Sequence, residues 1–315
     1  MTSSPSEKPQ LRRTSTASAA DRAADLPVTA DNLIVGCGDV GTRLARELKA
    51  RGERVAACVR SVTSAETLRS LGIESYAIDL DDGAHLPACA QIYWFAPPPA
   101  QGQTDPRIRR WIAGGASNVR RVVYLSTSAV YGDCGGRWID EDESLKPQTD
   151  RGRRRLDAER ALETHASETG VELVILRVPG IYGPGRLPLE RLRQNLPVIQ
   201  DSGDDSARRW TNRIHADDLA LAARAAMSHG QAGRAYNIAD GNPTTMADYF
   251  SRCARLLGLP EPPRVALADA PTHLSPALMS FMEESKRLRN RRMVEELGVV
   301  LRYPDLDHGL PACLD

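Results

Sequence analysis

The stretch NLIVGCGDVGTRLARELKARG, residues 32–52, constrains the fold more than any other part of the 315-residue chain. A short apolar run leads into G-x-G-x-x-G, formed by Gly36, Gly38 and Gly41, and an amphipathic segment with apolar residues four apart follows it. In a strand–loop–helix unit the first glycine allows a tight turn, the second lets backbone approach a pyrophosphate, and the third lets helix and strand pack closely. The N–H groups at the start of the helix then face the phosphates. The pattern predicts a dinucleotide site; the alternative is a turn that merely needs glycines.

The rest of the N-terminal half repeats this alternation of strand and helix. Five further apolar runs predict strands, in RVAACVR, IESYAIDL, QIYWFA, RRVVYLSTS and VELVILRV. Helices are predicted between them, one opened by a capping box at Thr63 and Glu66 and one from about Arg153 to Thr169. Apolar strands joined by helices are typical of a parallel sheet covered on both faces. We therefore expect an α/β protein with a Rossmann-type doubly wound parallel sheet.

Changes in composition predict three parts of the chain. Residues 1–30 are rich in Ser, Thr and Ala and poor in large apolar residues, which predicts a disordered leader. Residues 31–178 carry the regular alternation and are expected to form the dinucleotide-binding domain. After Val178 the rhythm breaks, and Pro and Gly become frequent. Residues 179–315 are expected to form a small C-terminal substrate lobe with helices that pack back on the sheet.

Charge and cysteine content exclude several classes of function. The formal net charge is +0, and the basic run RGRRR is short and lacks an aromatic platform, so nucleic-acid binding is not expected. No apolar run is long enough to span a membrane. The six cysteines form no C-x-x-C pair, which argues against a metal site and a disulfide framework. These features favour a cytoplasmic protein with reduced thiols.

The end of the second predicted strand bears on the choice of dinucleotide. An acidic residue there would bond a ribose 2′-hydroxyl, but this strand ends in Arg60, whose fork of donors matches a phosphate. This predicts NADP in preference to NAD; the alternative is a solvated surface arginine. Asp79 and Leu80 end the third predicted strand, where the adenine would lie. Asp79 could accept from the adenine amino group or simply cap a turn.

Seven segments in order carry a family likeness: GCGDVG, VVYLSTSAVYGD, LDAERAL, LRVPGIYGPGR, NRIHADDLA, AYNIADGNPTTMADY and SKRLRNRRMVEELGVVLRYPDLDHGL. Together they resemble the extended short-chain dehydrogenase/reductase superfamily of the NAD-dependent epimerase/dehydratase type. The resemblance implies a Rossmann sheet with a small substrate lobe. It also implies coenzyme contacts from Asp39, Val40 and Ala96 beside the glycines.

The resemblance further implies catalytic residues at the fifth strand and the following helix. A family Ser or Thr that polarises the substrate corresponds to Thr127. The family's Tyr and Lys, four residues apart on one helix face, correspond to Arg151 and Arg155. Arg155 can still donate to ribose hydroxyls, but Arg151 cannot serve as acid/base because its guanidinium stays protonated. The chain is thus an atypical member at the catalytic pair.

Three other groups are candidates for the missing acid. Tyr131 follows Thr127 closely, Tyr182 follows the sixth strand, and His215 precedes a predicted helix. Each has a structural alternative: the tyrosines could pack loops, and His215 with Asp217 could cap the helix.

Two hypotheses of function remain open at this point. The first is an NAD(P)-dependent oxidoreductase or epimerase/dehydratase acting on a small carbonyl or sugar-like molecule with an atypical acid/base. The second is a non-catalytic NADP(H)-binding sensor or regulatory protein. We lean to the enzyme, since Thr127 and Arg155 make most sense around a bound substrate. By family analogy a homodimer is possible.

Overall fold

The computed structural model describes residues 30–83, 85–115, 118–204, 208–274, 279 and 284–314. Apart from Ala30, the predicted leader lies outside the described residues. The described strands are β1 Asn32–Val35, β2 Val55–Val59, β3 Glu74–Ala77, β4 Gln91–Trp94, β5 Arg121–Thr127, β6 Trp138–Ile139, β7 Glu172–Val178, β8 Gly180–Tyr182, β9 Val198–Ile199, β10 Trp210–Thr211, β11 Arg213–His215, β12 Arg234–Asn237, β13 Thr244–Thr245, β14 Arg264–Val265 and β15 Arg287–Leu288. The described helices are α1 Asp39–Ala50, α2 Val62–Ser70, α3 Pro106–Ala113, α4 Asp150–Thr169, α5 Leu189–Arg193, α6 Ala216–His229, α7 Met246–Leu256, α8 Ala270–His273, α9 Arg291–Leu297 and α10 Leu306–Gly309, with 3-10 turns at Ser128–Tyr131 and Pro311–Cys313.

Seven strands form the central sheet in the order β12-β7-β5-β4-β1-β2-β3, and all neighbours are parallel. The expected α/β fold with a doubly wound parallel sheet is confirmed. The order reverses at β1, since β2 lies on one side of it and β4 on the other. Ligands of such sheets bind at the carboxyl ends of the strands beside this switch point. A ligand site is therefore expected at the loops after β1, β4, β5 and β7.

Helices cover both faces of the sheet with separate apolar cores. One core joins α1, α2, α6 and α9 to the sheet, and includes Leu44 and Leu48 of the first helix. The other joins α3 and α4 through Ile108, Ala158 and Leu162. Since both faces are buried, the inner strands are largely apolar, whereas the edge strand β3 is exposed at both ends.

Local details differ from the sequence-based expectations at two helix starts. The capping box at Thr63 and Glu66 is wrong: Ser61, in extended conformation, accepts a hydrogen bond from Ser64 N at 3.2 Å, so the helix begins at Val62. Helix α4 begins at Asp150, three residues before the predicted start, because Thr149 accepts from Gly152 N at 3.2 Å.

The C-terminal part of the chain contributes to the central sheet as well as to a smaller lobe. The edge strand β12, which the periodicity did not predict, pairs with β7. The paired strands β8–β11, β9–β14 and β10–β13 lie in the smaller lobe, where Tyr182 and Val198 belong to a separate apolar cluster. The pair β6–β15 contributes Ile139 and Leu288 to another cluster. The division of the chain at residue 178 stays a prediction. Among the described residues, no helix combines the length and apolar character needed to cross a membrane.

Candidate active site

The glycine loop after β1 has a geometry that each glycine makes possible. Gly36 has φ +83°, and a Cβ there would come within 2.4 Å of the backbone N of Ala96, at the end of β4. A Cβ at Gly38 would meet nothing within 4 Å. A Cβ at Gly41 would press on Ile34 at 3.2 Å. The loop is thus tight at Gly36, closely packed at Gly41 and open at Gly38, where α1 starts.

The side chains beside this loop contact other groups of the protein. Cys37 is buried with its Sγ 4.0 Å from Thr42 Oγ1, and burial raises the pKa of its thiol to about 11. Asp39, in the first turn of α1, pairs with Arg43 at 3.0 Å and with Arg186 of the second lobe at 2.9 Å. The Arg186 guanidinium is therefore engaged with Asp39. This ion pair links the two parts of the chain beside the loop, and Val40 is buried behind it.

The residues expected to bind the adenosine part of the coenzyme lie just after the carboxyl ends of β2 and β3. Arg60 is exposed at the end of β2. The third strand ends at Ala77, three residues earlier than expected, and Asp79 lies in the turn that follows, where its Oδ1 accepts from Asp81 N at 2.9 Å. The turn-capping alternative for Asp79 is thus realised, which leaves its second oxygen for other partners. Leu80 is half-buried beside it.

Two cavities meet at the carboxyl edge of the sheet and share the walls Thr127, Arg151 and Pro179. The sheet cavity, of about 290 Å³, is otherwise lined by Pro97, Pro98, Leu125, Ser126, Arg154, Arg155, Val178 and Ile181. The lobe cavity, of about 80 Å³, is otherwise lined by Ser128, Gly180, Trp210, Thr211, Asn212, Glu284 and Lys286. Thr127 stands at the junction, and its Oγ1 accepts from Ala129 N at 3.3 Å.

The start of α4 carries both arginines that replace the family's Tyr and Lys. A Cβ at Gly152 would come within 2.6 Å of Ala129 O, so this glycine lets the helix approach the loop after β5. Arg151 thereby lines both cavities, as Thr127 does. Burial lowers the pKa of the Arg151 guanidinium, while the charge of Glu284 acts in the opposite direction.

Arg155 faces the sheet cavity and is anchored to β5. Its Nη1 donates to the carbonyl of Leu125 and lies 3.5 Å from Tyr124 Oη. The guanidinium has five N–H donors, so this anchor leaves several for a ligand. The structure thus brings together Thr127, Arg151 and Arg155 in one cleft, as the spacing indicated.

The two tyrosines considered as replacement acids lie away from the described walls of both cavities. The Tyr131 hydroxyl donates to Asn237 Oδ1 at 2.8 Å and accepts from Arg177 at 3.1 Å. The Tyr182 hydroxyl donates to Asp305 O at 3.2 Å. Burial raises the pKa of both phenols. This geometry favours their packing alternative.

His215 caps the helix α6. Its Nδ1 accepts from Asp217 N at 3.2 Å, and its ring stacks on Tyr303 with centroids 3.9 Å apart. Burial lowers its pKa, so it is a neutral acceptor near pH 7. The helix-capping alternative for His215 is confirmed.

A buried polar network below the cleft was missed by the sequence reasoning. The Glu159 carboxylate accepts from Ser126 Oγ, and Arg177 donates to it at 3.0 Å. Glu159 lies in α4 four residues after Arg155, in the quoted segment LDAERAL, which was the available signal. The network holds β5, α4 and β7 together directly behind Thr127.

A second missed group is the pair Glu284 and Lys286 in the lobe cavity. Lys286 Nζ donates to Glu284 Oε2 at 2.6 Å, and both side chains are almost fully buried. No local pattern signals this pair, since it is brought to the cleft from more than 120 residues away along the chain. Within the described residues, no group of three or more His, Cys, Asp or Glu could hold a metal ion.

Comparison with solved structures shows the same fold over most of the chain. A functionally unknown conserved protein from Silicibacter pomeroyi has 33% sequence identity and a TM-score of 0.76, with 90% of this chain and 98% of that chain covered. UDP-glucuronic acid 4-epimerase from Bacillus cereus, solved in complex with NAD, has 17% identity and a TM-score of 0.70 over 89% of this chain and 96% of that one. At that identity the second likeness shows the fold alone.

Sequence comparison leads to the same group. Protein YeeZ of Escherichia coli (strain K12) is 27% identical over 287 residues, which are 86% of this chain and 96% of that protein. The profile of the NAD dependent epimerase/dehydratase family matches residues 110–239, which include Thr127, Arg151 and Arg155. A dTDP-glucose 4,6-dehydratase of Streptomyces griseus is 29% identical over 131 residues, which are 39% of this chain and 39% of that protein. The fold, the glycine loop and these matches together show that the chain belongs to the NAD-dependent epimerase/dehydratase family.

Proposed function

We propose that the protein is an NAD(P)-dependent oxidoreductase or epimerase/dehydratase-like enzyme that acts on a small carbonyl or sugar-like substrate. One observation carries this proposal: the loop that is open at Gly38 and the cleft that contains Thr127 and Arg155 lie on the same edge of one sheet. A dinucleotide whose pyrophosphate lies on the start of α1 would extend toward that cleft.

The residues present fit such a coenzyme. Gly36, Gly38 and Gly41 with the N–H groups at the start of α1 would hold the pyrophosphate. Arg155 would donate to the nicotinamide ribose with the N–H groups that Leu125 does not use. The bound nicotinamide would supply hydride transfer.

The substrate's reacting oxygen is assigned to Thr127. Its hydroxyl accepts from Ala129 N and still has a hydrogen to donate to a carbonyl oxygen in the cleft. Arg151, which lines the same two cavities as Thr127, supplies a positive charge where the family has a phenol. It can stabilise negative charge on an oxygen but cannot exchange a proton near neutral pH.

The choice between NAD and NADP rests on Arg60. Three solved structures of the same fold contain NAD. The exposed Arg60 supports NADP as the preferred coenzyme of this chain, because a guanidinium matches a 2′-phosphate. We therefore propose NADP as the preferred coenzyme and NAD as the alternative.

The test is a titration with NADPH and NADH followed by nicotinamide fluorescence, on the wild type and on Gly38→Ala. The added methyl group meets no protein atom within 4 Å, and φ there is −84°, so the fold should be unchanged. The methyl group would stand where the pyrophosphate approaches, so we expect binding to weaken at least about tenfold.

Gly203→Ala is the matched control, because its Cβ would also meet nothing within 4 Å and the residue lies in the second lobe. It should leave coenzyme affinity unchanged. Absence of saturable binding by the wild type, or equal affinity of wild type and Gly38→Ala, would contradict the proposal. Binding without turnover over a broad panel of carbonyl compounds and sugar nucleotides would instead favour a non-catalytic NADP(H)-binding sensor.

A further inference from the structure

The lobe cavity contains a carboxylate oxygen with unmet bonding capacity. Glu284 is 7% exposed, and its Oε2 accepts from Lys286 Nζ at 2.6 Å. Its Oε1 is buried without a hydrogen-bond partner among the described residues. A buried acceptor without a donor is unfavourable, and such groups in native structures usually have a functional or ligand-binding reason.

The segment that carries Glu284 and Lys286 is held rigidly. Ser285 N donates to Asp133 Oδ1 at 2.8 Å, and Ser285 O accepts from the backbone N–H groups of Cys134 and Gly136. Asn212 Nδ2 donates to Lys286 O at 2.9 Å. The backbone at Ser285 and Lys286 is therefore held in place, and the ion pair holds the two charged side chains to each other before any ligand arrives.

The same cavity has an excess of positive charge and an unused donor. Its described wall contains the cations Arg151 and Lys286 but only one acid, Glu284. Trp210 Nε1 is also buried without a hydrogen-bond partner among the described residues. The adjoining sheet cavity adds Arg154 and Arg155 and no acid to the described wall. A ligand that complements this wall brings an anion.

We infer that the lobe cavity binds a group that carries a carboxylate next to a hydroxyl, as in a small hydroxy acid or the acid end of a sugar acid. The carboxylate faces Arg151 and the Trp210 N–H, and the hydroxyl donates to Glu284 Oε1. A cavity of about 80 Å³ has room for a group of a few heavy atoms. The role in a reaction rests on the proposed function. The binding of a carboxylate and a hydroxyl does not, and it can be measured separately.

This assignment gives Glu284 a role beside the reacting oxygen. A hydroxyl that donates to Oε1 directs its hydrogen to the one carboxylate of the described lobe-cavity wall. Lys286 acts as a positioning residue, since it fixes the carboxylate through Oε2. Glu284 thus stands where an acid/base is needed, because Arg151 cannot fill that role.

The experiment measures binding of three matched probes by isothermal titration calorimetry, to the protein alone and to the protein saturated with NADPH. Glycolate carries both groups, acetate only the carboxylate, and ethylene glycol only hydroxyls. We expect glycolate to bind most tightly. Arg151→Met should weaken glycolate and acetate at least about tenfold, whereas Glu284→Gln should remove most of the preference for glycolate over acetate.

Controls separate charge and folding from the proposed contacts. Arg153→Met, two residues along α4 and paired with Asp150, removes a cation outside the described walls and should leave all three affinities unchanged. Arg151→Lys retains the charge and should keep part of the affinity. Circular dichroism and thermal unfolding show whether each variant is folded.

No heat with glycolate from folded wild type, or the same affinities in Arg151→Met and Glu284→Gln, would overturn the inference. Failure of NADPH to bind while glycolate binds in an Arg151-dependent manner would count against the proposed function alone. NADPH binding with no response to glycolate would count against the hydroxy-acid site alone.

Discussion

The buried Glu159–Arg177 pair allows a sharp prediction about what holds the catalytic edge of the sheet. The Glu159 side chain is 0% exposed and the Arg177 side chain 6%, and Arg177 donates to Oε2 through Nη2 at 3.0 Å. Ser126, the residue before Thr127, donates to the other carboxylate oxygen. We expect Glu159→Gln to leave an uncompensated guanidinium in the interior.

The magnitude follows from the burial of both partners. Breaking a buried ion pair by neutralising one partner typically costs about 3–5 kcal/mol, because the remaining charge stays desolvated. The free energy of unfolding of a domain of this kind is about 5–15 kcal/mol, so the loss is a large fraction of it. Arg177 keeps its bonds to Tyr131 and Glu141 O, both at 3.1 Å, which places the expected loss toward the lower figure.

Urea unfolding followed by circular dichroism measures the effect as a lower midpoint with an unchanged slope. Asp31→Asn is the control, since the Arg54–Asp31 pair has a similar distance of 2.6 Å but side chains that are 65% and 52% exposed. Its midpoint should barely move, because water already solvates both charges. If Glu159→Gln lost less than about 1 kcal/mol, the reasoning that a buried charge is left unpaired would be refuted.

Four further predictions test separate parts of the molecule. Arg60→Ala should weaken NADPH binding by about tenfold and leave NADH unchanged in fluorescence titrations; equal losses for both would remove the phosphate role. Burial raises the pKa of Asp240 to about 7, so in the folded protein it binds a proton between about pH 4 and 7 that the unfolded chain has lost, and its contribution makes stability fall as pH rises through that window. Asp240→Asn should therefore flatten the decline, with a gain of up to about 4 kcal/mol at pH 8 and little gain at pH 4 in urea unfolding. Gly152→Ala should cost about 1–3 kcal/mol and disturb the cleft, because its Cβ would lie 2.6 Å from Ala129 O; an unchanged melting temperature would show that the helix start can shift freely. The homodimer suggested by family analogy is checked by light scattering, where a monomer mass at micromolar concentration would reject it.

Local sequence patterns were sufficient for the dinucleotide-binding half of the fold. The apolar run, the three glycines and the amphipathic segment after them are neighbours in the chain, so their spacing directly predicts β1, the open loop and α1. The four-residue spacing of Arg151 and Arg155 likewise predicted that both would face one cleft, because an α-helix brings such positions onto one side. The sequence pattern was wrong at two helix starts. Ser61, not Thr63, caps α2, and Thr149 caps α4, which begins earlier than its apolar residues suggest.

Tertiary structure alone decided what surrounds those arginines. Ser126, Glu159 and Arg177 come from three different elements, and Glu284 reaches the cavity of Arg151 from a distant part of the chain. The order of residues determines which segments become strands and helices, since backbone geometry repeats over a few residues. Whether a buried carboxylate meets a cation, or is left with one oxygen facing a cavity, depends on contacts between segments that only the packed chain brings together.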